Sequence, residues 1–251
     1  MSLRSRRLIA VLACRAEGSR LYGKPLQNLD PAKGVTILDQ IISTCKAQPL
    51  ISSIVLAVSQ GRSNDVFHEV ARRHKIASIT GDPIDVLGRL IQGCRAGGGT
   101  DVFRVTTESP FIYYEAVKNA WKSHVQNEND VTTFNGLPEG SHFEIYKLGA
   151  LIKSHKKGNE KHRSEFCSLF IRENKNLFKI QIIPIKKILK RPRLRLTVDY
   201  PEDLSLCREI YKRFIKQAPT IKLESIIKYL DKKPKLRNIV SKYSKPENLW
   251  S

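Results

Sequence analysis

The chain has 251 residues, enough for one α/β domain with a full core, and its 41% hydrophobic content is ordinary for a globular protein. The formal net charge of +20 is large and leaves nucleic acid, a membrane surface or an anionic substrate open as partners. Five cysteines without a CxxC pair argue against a disulfide framework and predict reduced thiols in a cytoplasmic protein. No apolar stretch approaches the roughly 18 residues that a membrane span needs.

The first feature along the chain is an apolar run from Leu8 to Cys14. It is short, aliphatic and bounded by charged residues, which predicts a buried strand. The arginines before it imitate the start of a signal peptide. However, the run is at the short end of the range for a signal core, and cleavage would remove the strand itself. We therefore expect the segment to stay in the protein as its first strand.

A charged loop follows this strand directly and has the groups that a triphosphate needs. Its cations neutralise phosphate charge, its glycines allow close backbone approach, and its hydroxyl and backbone N–H groups donate hydrogen bonds. It is not a Walker A loop, because Gly23 and Lys24 are followed by Pro25 instead of Ser or Thr. An ordinary charged surface loop is the alternative. The candidate phosphate-binding residues are Arg15, Gly18, Ser19, Arg20 and Lys24.

Downstream of the loop, predicted helices and buried strands alternate. Helical spacing is found over residues 35–47, 64–74, 85–95, 114–125, 147–156, 163–174, 201–217 and 223–230. Strand patterns cover residues 54–58, 76–80, 101–105, 131–134, 179–184 and 193–199. The alternation predicts an α/β fold with a mostly parallel sheet flanked by helices. Ligands of such sheets bind beyond the carboxyl ends of the strands, where the charged loop and the segment after Val105 both fall.

Two stretches resemble the motifs of sugar cytidylyltransferases. Residues 15–26, RAEGSRLYGKPL, resemble R-x-x-S-x-R-L-P-G-K-x-L, with Tyr22 at the usual position of a proline. Residues 193–204, RLRLTVDYPEDL, resemble L-R-L-T-V-D-T-P-E-D-L. The most similar groups are SpsF-like enzymes and enzymes that make CMP-activated keto-sugar acids of the acylneuraminate and KDO type. The resemblance covers residues 8–214 and implies a Rossmann-like, GT-A-like nucleotidyltransferase fold.

The resemblance also implies a reaction. An enzyme of this kind transfers CMP from CTP to a small anionic sugar or sugar acid and releases pyrophosphate, for surface polysaccharide or glycoconjugate synthesis. Catalytic roles are implied for Arg15, Lys24 and Asp199. The residues implied in nucleotide binding are Arg15, Gly18, Ser19, Arg20, Lys24, Arg89 and Thr106. For Arg89, a solvated helix face is the alternative.

A Mg²⁺ site is implied at two carboxylates. In the resembled family the fourth strand ends in T-G-D-x-P-L or Q-G-D-x-P-L, whose Asp holds the ion, whereas this chain has Thr107 and Glu108 there. Glu can still ligate a hard cation, but its extra methylene displaces the carboxylate. Asp199 is the second implied ligand. The alternatives are helix caps at the segment before Pro110 and at Asp199; the run Asp-x-Pro-Glu-Asp favours Asp203 as the cap.

The residues that would bind the acceptor match the family motifs less closely. Residues 137–146 are similar to the family segment P-x-G-L-D-V-E, which aligns Glu144 with an acceptor-side residue. Arg163 and Glu165 are weaker acceptor-side candidates, and Phe166 stands where the family usually has a histidine. His142 is better explained as an ordinary strand or loop histidine than as a catalytic group.

Two other classes of function stay open from the sequence. A relative that binds nucleotide or sugar without catalysis is suggested by the motif departures. Nucleic-acid binding is suggested by the charge but disfavoured, because aromatic residues are not interleaved with the basic runs. We expect one domain over residues 1–251 with a basic helical tail at 218–251, and relatives are commonly homodimers.

Overall fold

The computed structural model describes residues 6–18, 20–244 and 250. Its centre is a seven-stranded sheet with the strand order β5-β4-β1-β6-β8-β7-β9. Every neighbouring pair is parallel except the two that involve β8, so the predicted mostly parallel sheet is confirmed. The strands are β1 (Leu8–Cys14), β2 (Asn28–Asp30), β3 (Val35–Thr36), β4 (Ile51–Ser59), β5 (Ala77–Gly81), β6 (Asp101–Arg104), β7 (Val131–Phe134), β8 (Glu144–Lys147) and β9 (Ile180–Ile183). Strands β2 and β3 form a separate antiparallel pair.

Helices pack on both faces of this sheet. They are α1 (Ile37–Lys46), α2 (Asp65–His74), α3 (Val86–Ala96), α4 (Val117–Gln126), α5 (Leu148–Lys157), α6 (Glu160–Arg163), α7 (Leu169–Glu173), α8 (Pro201–Phe214), α9 (Leu223–Asp231) and α10 (Pro234–Asn238). Among the described residues, no helix is long and apolar enough to cross a bilayer.

Strand β1 shows why the sheet is covered on both sides. Its side chains alternate between two apolar clusters: Leu8 and Leu12 lie in one, and Ile9 and Val11 lie in the other. A strand that is buried on both faces has a continuous apolar sequence. Strand β1 was predicted from such a sequence. The tail helix α9 packs its apolar side chains into the first of these clusters.

Local hydrogen bonds determine where several helices begin. Helix α1 starts after Thr36, whose Oγ1 accepts from the N–H of Asp39 at 3.1 Å while Asp39 Oδ2 accepts from the N–H of Thr36 at 2.9 Å. This capping box explains why the helix starts two residues later than its periodicity predicted. Helix α3 starts after Asp85, whose Oδ1 accepts from the N–H of Gly88 at 2.6 Å.

Two sequence predictions of elements are wrong, and one strand of the central sheet was missed. The single helix over 163–174 is two helices, α6 and α7, because Ser164 is extended and its Oγ accepts from the N–H of Phe166 at 3.3 Å. Strand β8 was not predicted as a strand at all. Residues 193–199 alternate as predicted but do not join the sheet; their backbone instead bonds to Glu139 and to Glu108.

Candidate active site

A cavity of about 840 Å³ opens at the carboxyl ends of β1 and β6. The fold therefore brings the charged loop and the segment after Val105 to one site, as the strand pattern predicted. Ten of the predicted site residues line this cavity: Arg15, Gly18, Arg20, Lys24, Arg89, Thr106, Glu108, Glu144, Glu165 and Asp199. Ser19 lies outside the described residues.

Arg163 does not line the cavity. Its guanidinium donates to the carbonyl oxygens of His155 and Gly158 at distances of 3.1 to 3.4 Å, at the end of α5. Arg163 therefore closes a helix terminus, and the structure does not place it with the other candidates.

The backbone of the loop is shaped by two glycines. Gly23 has φ of 59°, in the left-handed region, and its N–H donates to the carbonyl of Ala16 at 2.7 Å. A Cβ added to Gly18 would lie 2.6 Å from the carbonyl oxygen of Leu21. The N–H of Ala16 donates to Asn64 Oδ1 at 2.7 Å, which ties the loop to the start of α2. The loop is thus a compact turn that presents Lys24 to the cavity.

Asp199 is the centre of the charged cluster in this cavity. Its Oδ1 accepts from Lys24 Nζ at 2.6 Å and from Arg20 Nη2 at 3.2 Å, and its Oδ2 pairs with Arg195. Burial alone would raise the pKa of Asp199, but the hydrogen bonds and charges of Lys24 and Arg195 outweigh it and lower the pKa. Asp199 is therefore a carboxylate whose charge is shared by three cations.

Asp203, and not Asp199, caps helix α8. Asp203 Oδ2 accepts from the N–H of Asp199 and from the N–H of Tyr200, each at 2.9 Å. Asp203 also binds Arg195, whose Nε lies 2.8 Å from Asp203 Oδ1. The prediction of Asp203 as the cap is confirmed, and the side chain of Asp199 lines the cavity instead.

Arg195 is a site residue that the sequence prediction missed. Its guanidinium is 4% exposed and contacts Asp199, Asp203 and Glu139, with 2.5 Å from Nη1 to Glu139 Oε1. Its position between the buried residues Leu194 and Leu196 could have indicated this role. Alternate residues of an extended segment point to opposite sides, so Arg195 points away from the side that those two leucines occupy.

Glu108 lies in the same cavity and makes no ion pair with any described residue. Its pKa is raised, mainly by burial; the charge of Lys24 lowers it and the negative charge of Asp199 raises it. Its main-chain oxygen accepts from the N–H of Val198 at 3.0 Å, which joins this segment to the one that carries Asp199. Glu108 and Asp199 therefore place two carboxyl groups in the same cavity. No group of three or more potential metal-ligating side chains exists among the described residues.

The segment around Glu108 does not start a helix. Thr107 Oγ1 donates to the carbonyl of Ala13 at 3.1 Å, and Thr106 Oγ1 bonds to Ser109 Oγ at 2.7 Å. The next helical turn begins only at Tyr114 and has no side-chain cap. The capping alternative for this segment is wrong. The Thr107 hydroxyl instead holds the segment against β1.

Arg89 is 2% exposed, so the solvated-face alternative is wrong for it. Its Nη1 donates to the carbonyls of Cys14 and Ala57 at 3.2 and 2.9 Å, at the carboxyl ends of β1 and β4. It forms no ion pair with a described residue, Nε has no hydrogen-bond partner there, and burial lowers its pKa. A buried cation without a counter-ion in a cavity is a site for a polar or anionic group of a ligand.

Another part of the cavity lining holds a second ion pair. Arg104 Nη1 lies 2.5 Å from Glu144 Oε2, and the indole Nε1 of Trp250 donates to Glu144 Oε1 at 3.1 Å. The nearby pair of Arg15 and Glu165, at 2.9 Å, has both side chains more than half exposed. A pair so exposed is weak, which leaves Arg15 available to a ligand. Burial lowers the pKa of His142, which keeps that ring neutral.

The chain is similar in sequence to known proteins over most of its length. The chain is 26% identical over 94% of its length to an uncharacterized protein of Methanocaldococcus jannaschii, of which the alignment covers 95%. It is 23% identical to the spore coat polysaccharide biosynthesis protein SpsF of Bacillus subtilis, over 90% of this chain and 95% of that protein.

Two solved structures share the fold. A cytidylyltransferase of Leptospira borgpetersenii superposes with a TM-score of 0.83 at 19% identity, over 92% of this chain and 97% of that one. A CMP:2-keto-3-deoxy-manno-octonic acid synthetase complexed with CTP superposes with a TM-score of 0.63 at 13% identity, over 82% and 99%. The sequence model of the family described as Cytidylyltransferase matches residues 9–232. A match over most of the chain assigns the family: this protein belongs to the cytidylyltransferases and is a nucleotidyltransferase.

Proposed function

We propose that the protein transfers CMP from CTP to a hydroxyl oxygen of a small sugar or sugar-acid acceptor. The acceptor oxygen forms a bond to the α-phosphorus, the bond from that phosphorus to the bridging oxygen breaks, and pyrophosphate leaves. The acceptor proton passes to solvent or to a nearby base. The observation that supports the proposal is the cluster of Arg20, Lys24 and Arg195 on Asp199 beside the glycine-shaped loop.

The triphosphate would take over the loop cations of this cluster. Lys24 and Arg20 both contact Asp199 Oδ1, and Arg20 is about half exposed, so both side chains can turn to phosphate oxygens. Arg15 is available because its pair with Glu165 is exposed. Arg195 remains on Asp203 and Glu139, which keeps Asp199 in place. Phosphoryl chemistry depends mainly on such positioning and charge neutralisation.

A magnesium ion fits the donor set of this site. Mg²⁺ commonly takes one or two carboxylates together with substrate phosphates and water, and the cavity offers Glu108 and Asp199. Burial raises the pKa of Glu108, the charge of Lys24 lowers it and the negative charge of Asp199 raises it, so the two carboxyl groups lie close enough to interact. Glu108 and Asp199 would hold the ion, which would offset the negative charge of the phosphates.

The names of the relatives support a sugar-type acceptor. SpsF is named for polysaccharide biosynthesis, and the synthetase whose structure is similar is named for an eight-carbon keto-sugar acid. The acceptor would occupy the end of the cavity that holds Arg104 and Glu144, because the Asp199 end is required by the triphosphate.

A pyrophosphate-release assay tests the proposal. CTP, ATP, GTP and UTP are supplied with Mg²⁺ and a mixture of keto-sugar acids, and the same four nucleotides are compared by thermal shift. We expect CTP to raise the melting temperature most and to support pyrophosphate release. CTP binding without release for any acceptor would indicate a relative that binds without catalysis. Steeply salt-dependent binding to arbitrary DNA, with no CTP effect, would indicate a nucleic-acid-binding protein.

A further inference from the structure

The C-terminal tail reaches the cavity, although its sequence carries no motif. Three of its described residues, Lys242, Tyr243 and Trp250, line the cavity together with residues from the strand ends. Trp250 is 4% exposed and packs in the apolar cluster on one face of the sheet. A large aromatic side chain so well buried contributes substantial contact area at the wall it forms.

Trp250 contacts the ion pair at the acceptor end. Its Nε1 donates to Glu144 Oε1 at 3.1 Å, while Glu144 Oε2 lies 2.5 Å from Arg104 Nη1. The side chain of Glu144 is 8% exposed. Both oxygens of this carboxylate are therefore engaged, one by the tail and one by strand β6. Loss of the indole would leave one buried oxygen without its donor.

A second contact joins the tail to the Asp199 end. The rings of Tyr243 and Tyr200 stack with centroids 3.8 Å apart and planes within 6°. Tyr243 OH and Lys242 Nζ each lie 3.0 Å from Glu202 Oε1 on helix α8. Tyr200 follows Asp199 in the chain and accepts a hydrogen bond from Arg20 at 3.3 Å. The tail is thus held at a point separate from Trp250, so a change at Trp250 leaves this contact in place.

We propose that Trp250 is a specificity-determining residue of the acceptor end. Its ring forms the wall that limits the size of the acceptor, and its N–H holds Glu144 in position beside Arg104. This inference rests on the proposed function, since it takes the Asp199 end as the triphosphate site. It predicts that Trp250 variants change acceptor selection and leave CTP binding unchanged.

Steady-state kinetics with two acceptors test this role. The probes are 2-keto-3-deoxy-manno-octonic acid and the larger N-acetylneuraminic acid, each at saturating CTP. Trp250→Ala opens the wall, so we expect its KM for the smaller acid to rise about tenfold or more, with a relative gain for the larger acid. Trp250→Phe keeps a ring but removes the donor, and we expect a smaller rise. Unchanged KM and unchanged acceptor preference in both variants would overturn the proposal.

Tryptophan fluorescence supplies a readout that does not require turnover. The chain has two tryptophans, and Trp121 lies in the core away from the cavity, stacked on His124. In Trp121→Phe, which also serves as the matched control, the emission reports Trp250 alone. We expect weak quenching by acrylamide and a change of emission when the accepted sugar acid is added. Strong quenching and no response would overturn the inference.

The failure of the inference and the failure of the proposed function are distinguishable. Calorimetric titration of CTP into the wild type and into Trp250→Ala separates them. If the wild type binds no CTP, the proposed function fails. If both proteins bind CTP equally and turn over the acceptors with equal KM, only the role of Trp250 fails.

Discussion

Two carboxylates in this protein each accept hydrogen bonds from several side chains, and they differ in what those partners can do. Asp101, at the start of β6, is fully buried and accepts from Arg6 Nε at 2.9 Å, His124 Nε2 at 3.1 Å and Thr100 Oγ1 at 2.7 Å. Asp199 is 14% exposed and faces the cavity, where two of its three cations come from the loop after β1.

The comparison shows that a paired carboxylate does not by itself mark a site. Both carboxyl groups have a lowered pKa, because in each case hydrogen bonds outweigh the opposing effect of burial. The difference lies in the partners. Arg6 has a side chain that is 5% exposed and cannot turn to another anion, whereas Arg20 and Lys24 line a cavity large enough for a nucleotide. Asp101 is enclosed in the core of the fold, whereas we propose that Asp199 acts on a ligand.

The largest expected effects come from the matched pair Asp199→Asn and Asp101→Asn. We expect Asp199→Asn to reduce kcat by about a hundredfold or more, because it removes one of the two carboxylates that would hold the magnesium ion beside the reacting phosphates. We expect Asp101→Asn to lower the free energy of unfolding by about 3–5 kcal/mol, because Arg6 keeps its charge in a buried place. Pyrophosphate release and urea denaturation measure the two quantities for both variants.

The opposite results would reverse the roles assigned to Asp199 and Asp101. A destabilised Asp199→Asn that retains turnover would make Asp199 a structural group. A stable Asp101→Asn without activity would make the buried cluster part of the site.

Lys24→Ala removes the contact between the loop lysine and Asp199. We expect CTP to bind about ten- to a hundredfold more weakly, because a charge-assisted hydrogen bond contributes about 1.5–3 kcal/mol. The free energy of unfolding should change little. Since Asp199 loses a competing cation, Mn²⁺ alone should bind more tightly than to the wild type. Calorimetric titrations measure both ligands, with exposed Lys33→Ala as the control. An unchanged CTP affinity in folded Lys24→Ala would remove Lys24 from the phosphate site.

Glu108 is the second carboxyl group in the cavity, and the length of its side chain can be tested by mutation. Because Mg²⁺ tolerates poor geometry badly, we expect Glu108→Asp to lower kcat by about tenfold. Thr107 ties this segment to Ala13, so Thr107→Gly releases the backbone, and the double variant should recover part of the activity. A double-mutant cycle on kcat measures the coupling. Higher activity in Glu108→Asp, or full activity in Glu108→Ala, would contradict the hypothesis that Thr107 and Glu108 compensate for each other in placing the carboxylate.

The smallest expected effect is a pH dependence of stability at the buried cluster. Burial lowers the pKa of His124 below its ordinary value of 6.5, so the folded protein keeps this ring neutral where the unfolded chain protonates it. Stability contributed in this way is present above pH 6.5 and is lost as the pH falls towards the folded pKa, by at most about 1.4 kcal/mol per pH unit. We expect His124→Asn to flatten the dependence between pH 6.5 and 5 in urea denaturation. An equal slope in both proteins would assign the dependence to other groups.

Local patterns in the sequence determined many of the strands, helices and helix caps of this protein. The continuous apolar run predicted β1, helical periodicity predicted most of the helices, and the Asp-x-Pro-Glu-Asp run predicted Asp203 as the cap of α8. These features depend on hydrogen bonds and burial within a few residues, which is the range over which periodicity and capping patterns act. The loop cations and Asp199 were also indicated, by their positions at predicted strand ends and by motif resemblance.

Only the tertiary structure decided which of these groups meet. Lys24 and Asp199 are 175 residues apart, and their contact depends on the path of the whole chain. The same holds for Arg195 in the charged cluster, for the burial of Arg89 and for Trp250 on Glu144. Arg163 looked like a site residue and instead closes a helix, because its neighbours in space are main-chain carbonyls. A residue type predicts which bonds a side chain can form, whereas the packing of distant segments decides which bonds it does form.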